Sequence, residues 1–220
     1  MKSNKDTSSC KEGCKIKKYG YKLIVPLLIL IVLSLASWLY LHGSYNKPKN
    51  PAGEDFSQAI SLLNNNKLDD ARIAFEKILS YDNRSYDSIA NMYIASILVT
   101  KGDVKSASEK FLKVGNDDLA LPVVRYTAIL HAAWILVDTV SYDDISKILQ
   151  KLIDPSNPMH PAANEILGIS AMKCGKIEKA RSIFEEIVKD PNSPPGISTR
   201  SQIMLANIIA SNKETKKQSA

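Results

Sequence analysis

Residues 165–190 read EILGISAMKCGKIEKARSIFEEIVKD, and this stretch decides the fold. Apolar residues recur at i, i+3, i+4 and i+7 on both sides of Cys174-Gly175-Lys176. That spacing predicts two amphipathic helices, over 161–174 and 177–190, joined by a short turn. Gly175 suits the left-handed residue that ends a helix, and Pro161 suits a first turn, where a missing N–H costs least. Gly168 on the first helix and Ala180 on the second are small, and Phe184 follows one turn later. Small residues let two helix backbones approach, and the bulky ring then plugs the space beside them. The stretch is a helical hairpin.

The same arrangement recurs outward along the chain. Ala71 and Phe75 return thirty-six residues later as Ala107 and Phe111, and those return seventy-three later as Ala180 and Phe184. Ile145 and Leu149 fill the copy between. On the first helix of each pair the small positions are Ala59, Ala95, Ala133 and Gly168. The further helices are expected at 54–65, 68–81, 85–101, 104–115, 122–138, 142–153 and 198–211, with Asp103 and Ser141 as N-caps and Gly102 at a C-terminus. No stretch alternates convincingly with period two, so the expected class is all-α. A period of this length means stacked hairpins sharing one continuous core, with the last helix as a cap.

A period near 35 carrying a small residue and then Ala-x₃-Phe resembles the tetratricopeptide repeat (TPR). Leu167, Gly168, Ala180, Phe184 and Pro191 sit close to that repeat's consensus, Pro191 one residue early. The third copy departs from it at Ile145 and Leu149. The resemblance implies a right-handed array of about four hairpins plus a capping helix, over 54–211, with 212–220 a disordered tail.

Ahead of the repeats lies Leu23–Leu41, LIVPLLILIVLSLASWLYL, nineteen residues without a charge. As a helix it is roughly 28 Å long, close to the hydrocarbon thickness of a bilayer. Residues 1–49 carry nine Lys against two acids, and most of these Lys precede the apolar run; residues 50–220 carry twenty Lys plus Arg against twenty-one acids. Lys-rich flanks stay in the cytoplasm, so 1–22 are expected as a cytoplasmic basic tail, 23–41 as a transmembrane anchor and 42–53 as a linker. Tyr19, Tyr21, Trp38, Tyr40 and Tyr45 stand at the two expected interfaces. The alternative is a cleaved signal peptide ending at Ala36, since Ser34-Leu35-Ala36 has the small-residue spacing that cleavage needs. The basic pI near 9 therefore belongs to the anchor's flank, and nucleic-acid binding by the near-neutral repeats is not expected.

Motifs for chemistry are missing. His42, His131 and His160 lie far from one another and from any Cys, and Cys10, Cys14 and Cys174 are expected as reduced thiols, so neither a metal nor another cofactor is expected. No phosphate loop, dinucleotide fingerprint or nucleophile elbow occurs. Asp69-Asp70, Asp117-Asp118 and Asp143-Asp144 could act as paired carboxylates, but at helix N-termini and turns they complement the helix dipole. An enzyme is not expected.

Binding is the remaining role. In such repeats the first helices line the concave face. The groove positions are Phe56, Ile60 and Leu63; Met92 and Val99; Leu130, Trp134 and Val137; Ile169 and Met172. They are mostly apolar, suiting hydrophobic segments such as non-native chains or a partner's helix. The plainer alternative is that they are core.

A narrower resemblance covers about residues 20–210. The ending A-N-E-I-L-G-I-S-A from Ala163, then Phe184, Asp190, Pro194, Arg200 and Met204-Leu205, is similar to that of the ancillary subunit of the SecYEG translocon in alphaproteobacterial form. That implies a single-pass protein of the bacterial inner membrane, N-terminus cytoplasmic and repeats periplasmic. Its partners would be the Sec translocon, periplasmic chaperones or secretory clients, and it would be a monomer or weak dimer. An envelope scaffold for cell-division or cell-wall machinery, binding no client, is the alternative.

Overall fold

The computed structural model describes residues 26–40 and 50–218. The basic tail 1–22, residues 23–25 and 41 of the expected span, linker residues 42–49, Cys10, Cys14 and His42 lie outside the described residues. Two compact units divide at Asn50.

In the first unit, residues 26–40 form one helix, α1, whose side chains are all exposed. Among the described residues no helix is long and apolar enough to cross a membrane. These fifteen residues cover only part of the expected nineteen.

In the second unit each small-then-bulky stretch has folded as a pair. The helices are α2 Pro51–Asn64 with α3 Leu68–Ile78, α4 Arg84–Thr100 with α5 Val104–Gly115, α6 Pro122–Leu136 with α7 Tyr142–Leu149, and α8 His160–Lys173 with α9 Ile177–Lys189. A short 3-10 turn, Leu79–Tyr81, follows α3, and α10, Pro195–Gln218, packs on α9 and α8 as a cap. No strand occurs among the described residues.

Three of the four hairpins close the same way. Gly102 and Gly175 take φ of 81° and 71°, and Asn66 takes 58° at the equivalent place in the first pair. In each, the following N–H reaches back five residues, Lys67 to the Leu62 carbonyl at 3.0 Å, Asp103 to Leu98 at 2.9 Å and Lys176 to Ala171 at 2.8 Å. This left-handed cap satisfies carbonyls that the helix end would leave bare, and Asn is the best substitute for Gly there. Asp103 and Ser141 are N-caps as expected, accepting from the N–H of Ser106 at 3.1 Å and of Asp144 at 3.2 Å.

The repeat-packing residues Ala59, Ala71, Phe75, Ala95, Ala107, Phe111, Ala133, Ala180 and Phe184 are each at most 1% exposed. Gly168 has a stricter reason to be small: a Cβ there would stand 2.7 Å from two carbons of the Phe184 ring. The ring is fully buried and cannot swing aside. Gly168→Ala should therefore cost about 1–3 kcal/mol, the range of overpacked cores, read as a lower midpoint in urea unfolding followed by circular dichroism.

Sequence periodicity misplaces several ends, among them α3, which ends at Ile78 rather than 81, and α10, which begins at Pro195 rather than 198. α2 begins at Pro51 rather than 54, with proline as its first residue, so the linker ends at Asn50. α7 stops at Leu149 rather than 153: the chain turns there, with the N–H of Leu152 2.7 Å from the Leu149 carbonyl, yet Leu152 still enters the core. α10 runs through Gln218, so residues 212–218 of the expected disordered tail are helical.

One carboxyl works against the fold. Asp87, near the start of α4, has one oxygen buried without a hydrogen-bond partner among the described residues. Burial first, and then the nearby Asp82, push its pKa up, although Lys113 opposes them. A raised folded-state pKa makes a contribution that is present at low pH and lost as pH rises through it. Asp87→Asn should therefore raise the melting temperature at pH 7, and the gain should vanish as pH falls below the ordinary carboxylate range.

Candidate functional site

Helix α6, PVVRYTAILHAAWIL, has apolar residues around its whole circumference. One face cannot be served by its own hairpin. Ala128, Ile129, Ala132 and Ala133 point into the core, while Val123, Thr127, Leu130 and Trp134 form a stripe at i, i+4, i+7 and i+11 on the other side.

That stripe runs between α4 and α8 and forms the floor of two adjoining cavities. One, about 330 Å³, is bounded by Ile89, Met92 and Ser96 of α4 and by Val123 and Thr127. The other, about 420 Å³, is bounded by Thr127, Leu130, His131 and Trp134, by Ala162, Glu165 and Ile166 of α8, and by Arg200 of α10. Thr127 belongs to both, so they make one groove. Its apolar side chains stand open: Ile89 is 38%, Trp134 52% and Val123 57% exposed. Large apolar groups held in water across two neighbouring helices mark a contact surface.

Of the residues expected in a groove, the structure brings together Met92, Leu130 and Trp134. Phe56 lies with its ring centre 5.7 Å from those of Phe75, Tyr86 and Tyr93, in an aromatic cluster inside the first hairpins. Ile60 and Leu63 pack on the same cluster. Val99 packs beside Phe111, Ile169 and Met172 against the C-terminal core, and Val137 is buried within that core. Ile89, Val123, Thr127 and Ile166 were not among the expected residues, nor was the ion pair at the groove's edge. The signal for Val123 and Thr127 was the unbroken apolar circumference of α6.

The walls carry little free polarity. The Thr127 hydroxyl donates to the Val123 carbonyl at 2.8 Å, and the Ser96 hydroxyl to that of Met92 at 3.0 Å. Glu165 is buried, and its carboxylate accepts from Arg200 Nε at 2.6 Å and Nη2 at 2.8 Å. This fork ties α10 to α8 and raises the guanidinium's pKa, so each charge is matched by the other. His131 stacks on the buried Phe111 ring at 5.2 Å, and burial pushes its pKa below the ordinary imidazole value.

The aspartate pairs hold helix ends together. Asp69 and Asp70 sit in the first turn of α3, and Asp143 and Asp144 in that of α7. Asp69 is bound by Lys101, and Asp144 accepts from the Ser141 hydroxyl at 2.7 Å; both carboxyls lie below the usual carboxylate range for those reasons. Asp118 lies 3.4 Å from Arg125 beside the α5–α6 turn. A polar cleft of about 530 Å³ lies between the turn before α8 and the turn before α10, lined by His160, Glu186 and Asp190 among others. Its polar groups close those turns: Asn157 accepts from the Met159 N–H at 2.9 Å and Asp190 from the Asn192 N–H at 2.8 Å. Cys174 is a free, exposed thiol, and among the described residues no group of three His, Cys, Asp or Glu could hold a metal.

Paired helices with left-handed caps, small-residue seams and aromatic plugs define a helical-hairpin repeat protein. The chain belongs to the tetratricopeptide repeat-like domain family, whose description matches residues 16–211. Two solved structures are similar in fold. One is a single-substitution form of nearly identical TPR-like repeats, assigned to a kinesin light chain of Podosopora anserina. It is 16% identical, with a TM-score of 0.52 over 78% of this chain and 92% of that one. The other, the same repeats without that substitution, is 16% identical with a TM-score of 0.51 over 77% and 91%. No curated protein sequence matches the chain. Repeats of this kind form protein–protein interaction modules and are typically non-catalytic scaffolds.

Proposed function

We propose that this chain is a membrane-anchored, periplasm-facing interaction module of a bacterial inner membrane. In this role it handles secretory proteins beside the Sec translocon, by holding them directly or by recruiting chaperones. The observation that carries the proposal is the open apolar groove across α4, α6 and α8, with Trp134 on its floor. Hydrophobic segments newly emerged from a membrane channel are the chemistry such a groove suits. The charge-free run Leu23–Leu41 and its lysine-rich flank support the anchor, and the similarity of the Ala163–Leu205 ending supports the translocon as the neighbour.

Anchoring has a physical consequence. A linker of about ten residues keeps the groove within a few nanometres of the bilayer, so weak groove affinity is raised by effective concentration. Deleting residues 1–49 should leave a folded helical domain, monomeric or weakly dimeric, that loses most partner capture in membranes. Capture by the untethered domain at native abundance equal to that of the full chain would contradict the tether. Recovery of only division or wall-synthesis proteins by the full chain would favour the envelope scaffold instead. The mature N-terminus separates anchor from signal peptide: protein beginning at Ser37 would mean release after Ala36.

A further inference from the structure

We infer that the groove takes its partner as an α-helix presenting an uncharged apolar stripe, and not as an extended chain. The inference rests on the groove being the binding surface and names what it binds.

Hydrogen bonding decides the backbone form. An extended segment brings an unpaired N–H and C=O at every residue, and a groove that receives it must supply partners. Here the hydroxyls of Thr127 and Ser96 are already bonded to their own helices, and Glu165 is gripped by Arg200. The His131 ring, the Tyr93 hydroxyl and the remaining N–H groups of Arg200 could each serve an isolated group, never a run of them. A helix arrives with its backbone satisfied and needs only apolar contact.

Charge complementarity decides the face. The floor of Ile89, Met92, Val123, Leu130, Trp134 and Ile166 is uncharged. The nearest charges are paired across helices, Glu165 with Arg200 and, one turn beyond Trp134, Asp138 with Lys173. A carboxylate or ammonium laid on this floor would lose water and meet no free counter-charge. The stripes on α4 and α6 repeat at i, i+3 or i+4, and i+7, which makes them ridges that a helix of matching periodicity interlocks with. Two helix-to-helix steps of 8–10 Å each give the groove a length suited to a partner of about 11–14 residues.

The test uses the full chain in phosphatidylcholine nanodiscs with Trp38→Phe, which leaves Trp134 as the single tryptophan. Three blocked fourteen-residue peptides serve as probes. The first is an amphipathic helix with a leucine stripe, the second has the same leucines around two central prolines, and the third has one stripe leucine replaced by Glu. The helical peptide should shift Trp134 emission to the blue and bind at least about tenfold tighter than either other, the ratio expected when buried hydrogen bonds or a charge go unmet. Equal binding of the proline peptide overturns the helical form, and equal binding of the Glu peptide overturns the uncharged face; in both cases the groove stands as a binding surface. No shift with any peptide overturns this inference and the groove reading together.

Discussion

Phe184→Ala should lower the melting temperature by about 6–20 °C, among the largest effects expected of a single substitution in this chain. The ring is fully buried, lies against the bare Cα of Gly168 on the neighbouring helix, and plugs the seam of the α8–α9 hairpin. Truncating a buried Phe costs about 3–5 kcal/mol, because transfer energy is lost and a cavity remains. In a domain of this size each kcal/mol moves the midpoint by about 2–4 °C. The loss should be local at first. α10 caps this hairpin, and the core at its end includes Ile187 and Ile208. Amide exchange should therefore quicken in α8–α10 before α2–α5, as a chain of nearest-neighbour units requires. Ile73→Ala, at a side chain 59% exposed on α3, is the control and should move the midpoint by less than about 3 °C, roughly 1 kcal/mol. A Phe184→Ala midpoint no lower than the control's would contradict the plug.

Trp134→Ala should do the opposite, leaving the fold alone and disabling the groove. The indole is half exposed and stands at the C-terminal end of the α6 stripe, so its removal opens no cavity in the core. A large aromatic in an apolar patch is where binding energy concentrates, and its truncation costs about 2 kcal/mol or more, roughly a thirtyfold loss of affinity. The melting temperature should stay within about 2 °C of the parent, as for surface substitutions. Unchanged partner capture alongside an unchanged fold would mean that binding lies elsewhere.

These two residues also mark what the sequence makes legible. Phe184 could be placed in advance because the repeat recurs. Once Ala71-x₃-Phe75, Ala107-x₃-Phe111 and Ala180-x₃-Phe184 are aligned, burial of each follows from the register. Caps were equally plain where their chemistry is unambiguous, as at Asp103, Ser141, Gly102 and Gly175. Asn66 takes the place of those glycines in the first hairpin, and an asparagine among asparagines gives no such signal. The short α7 was hidden because Leu152 keeps the helical spacing and the burial of its neighbours while the backbone has already turned.

The groove was only partly legible, for a different reason. Apolar residues on a first helix face either the core or the concave surface, and spacing alone does not separate them. Phe56 and Val137 carry the same pattern as Leu130 and Trp134, yet Phe56 joins an aromatic cluster and Val137 enters the C-terminal core. What distinguishes α6 is an excess: more apolar circumference than one hairpin can cover. Arg200 was legible only as part of the resemblance. Its role, holding the buried Glu165 at the groove's edge, needs the packing of α10 against α8.

The most direct measurement is site-specific photocross-linking in membranes of the full chain carrying a photoreactive phenylalanine at position 134, compared with one at Lys179, exposed on α9. Adducts with secretory chains or translocon subunits from position 134, with few from 179, are predicted. Equal adducts from both positions, or none from 134, would contradict a groove that captures protein segments at the membrane.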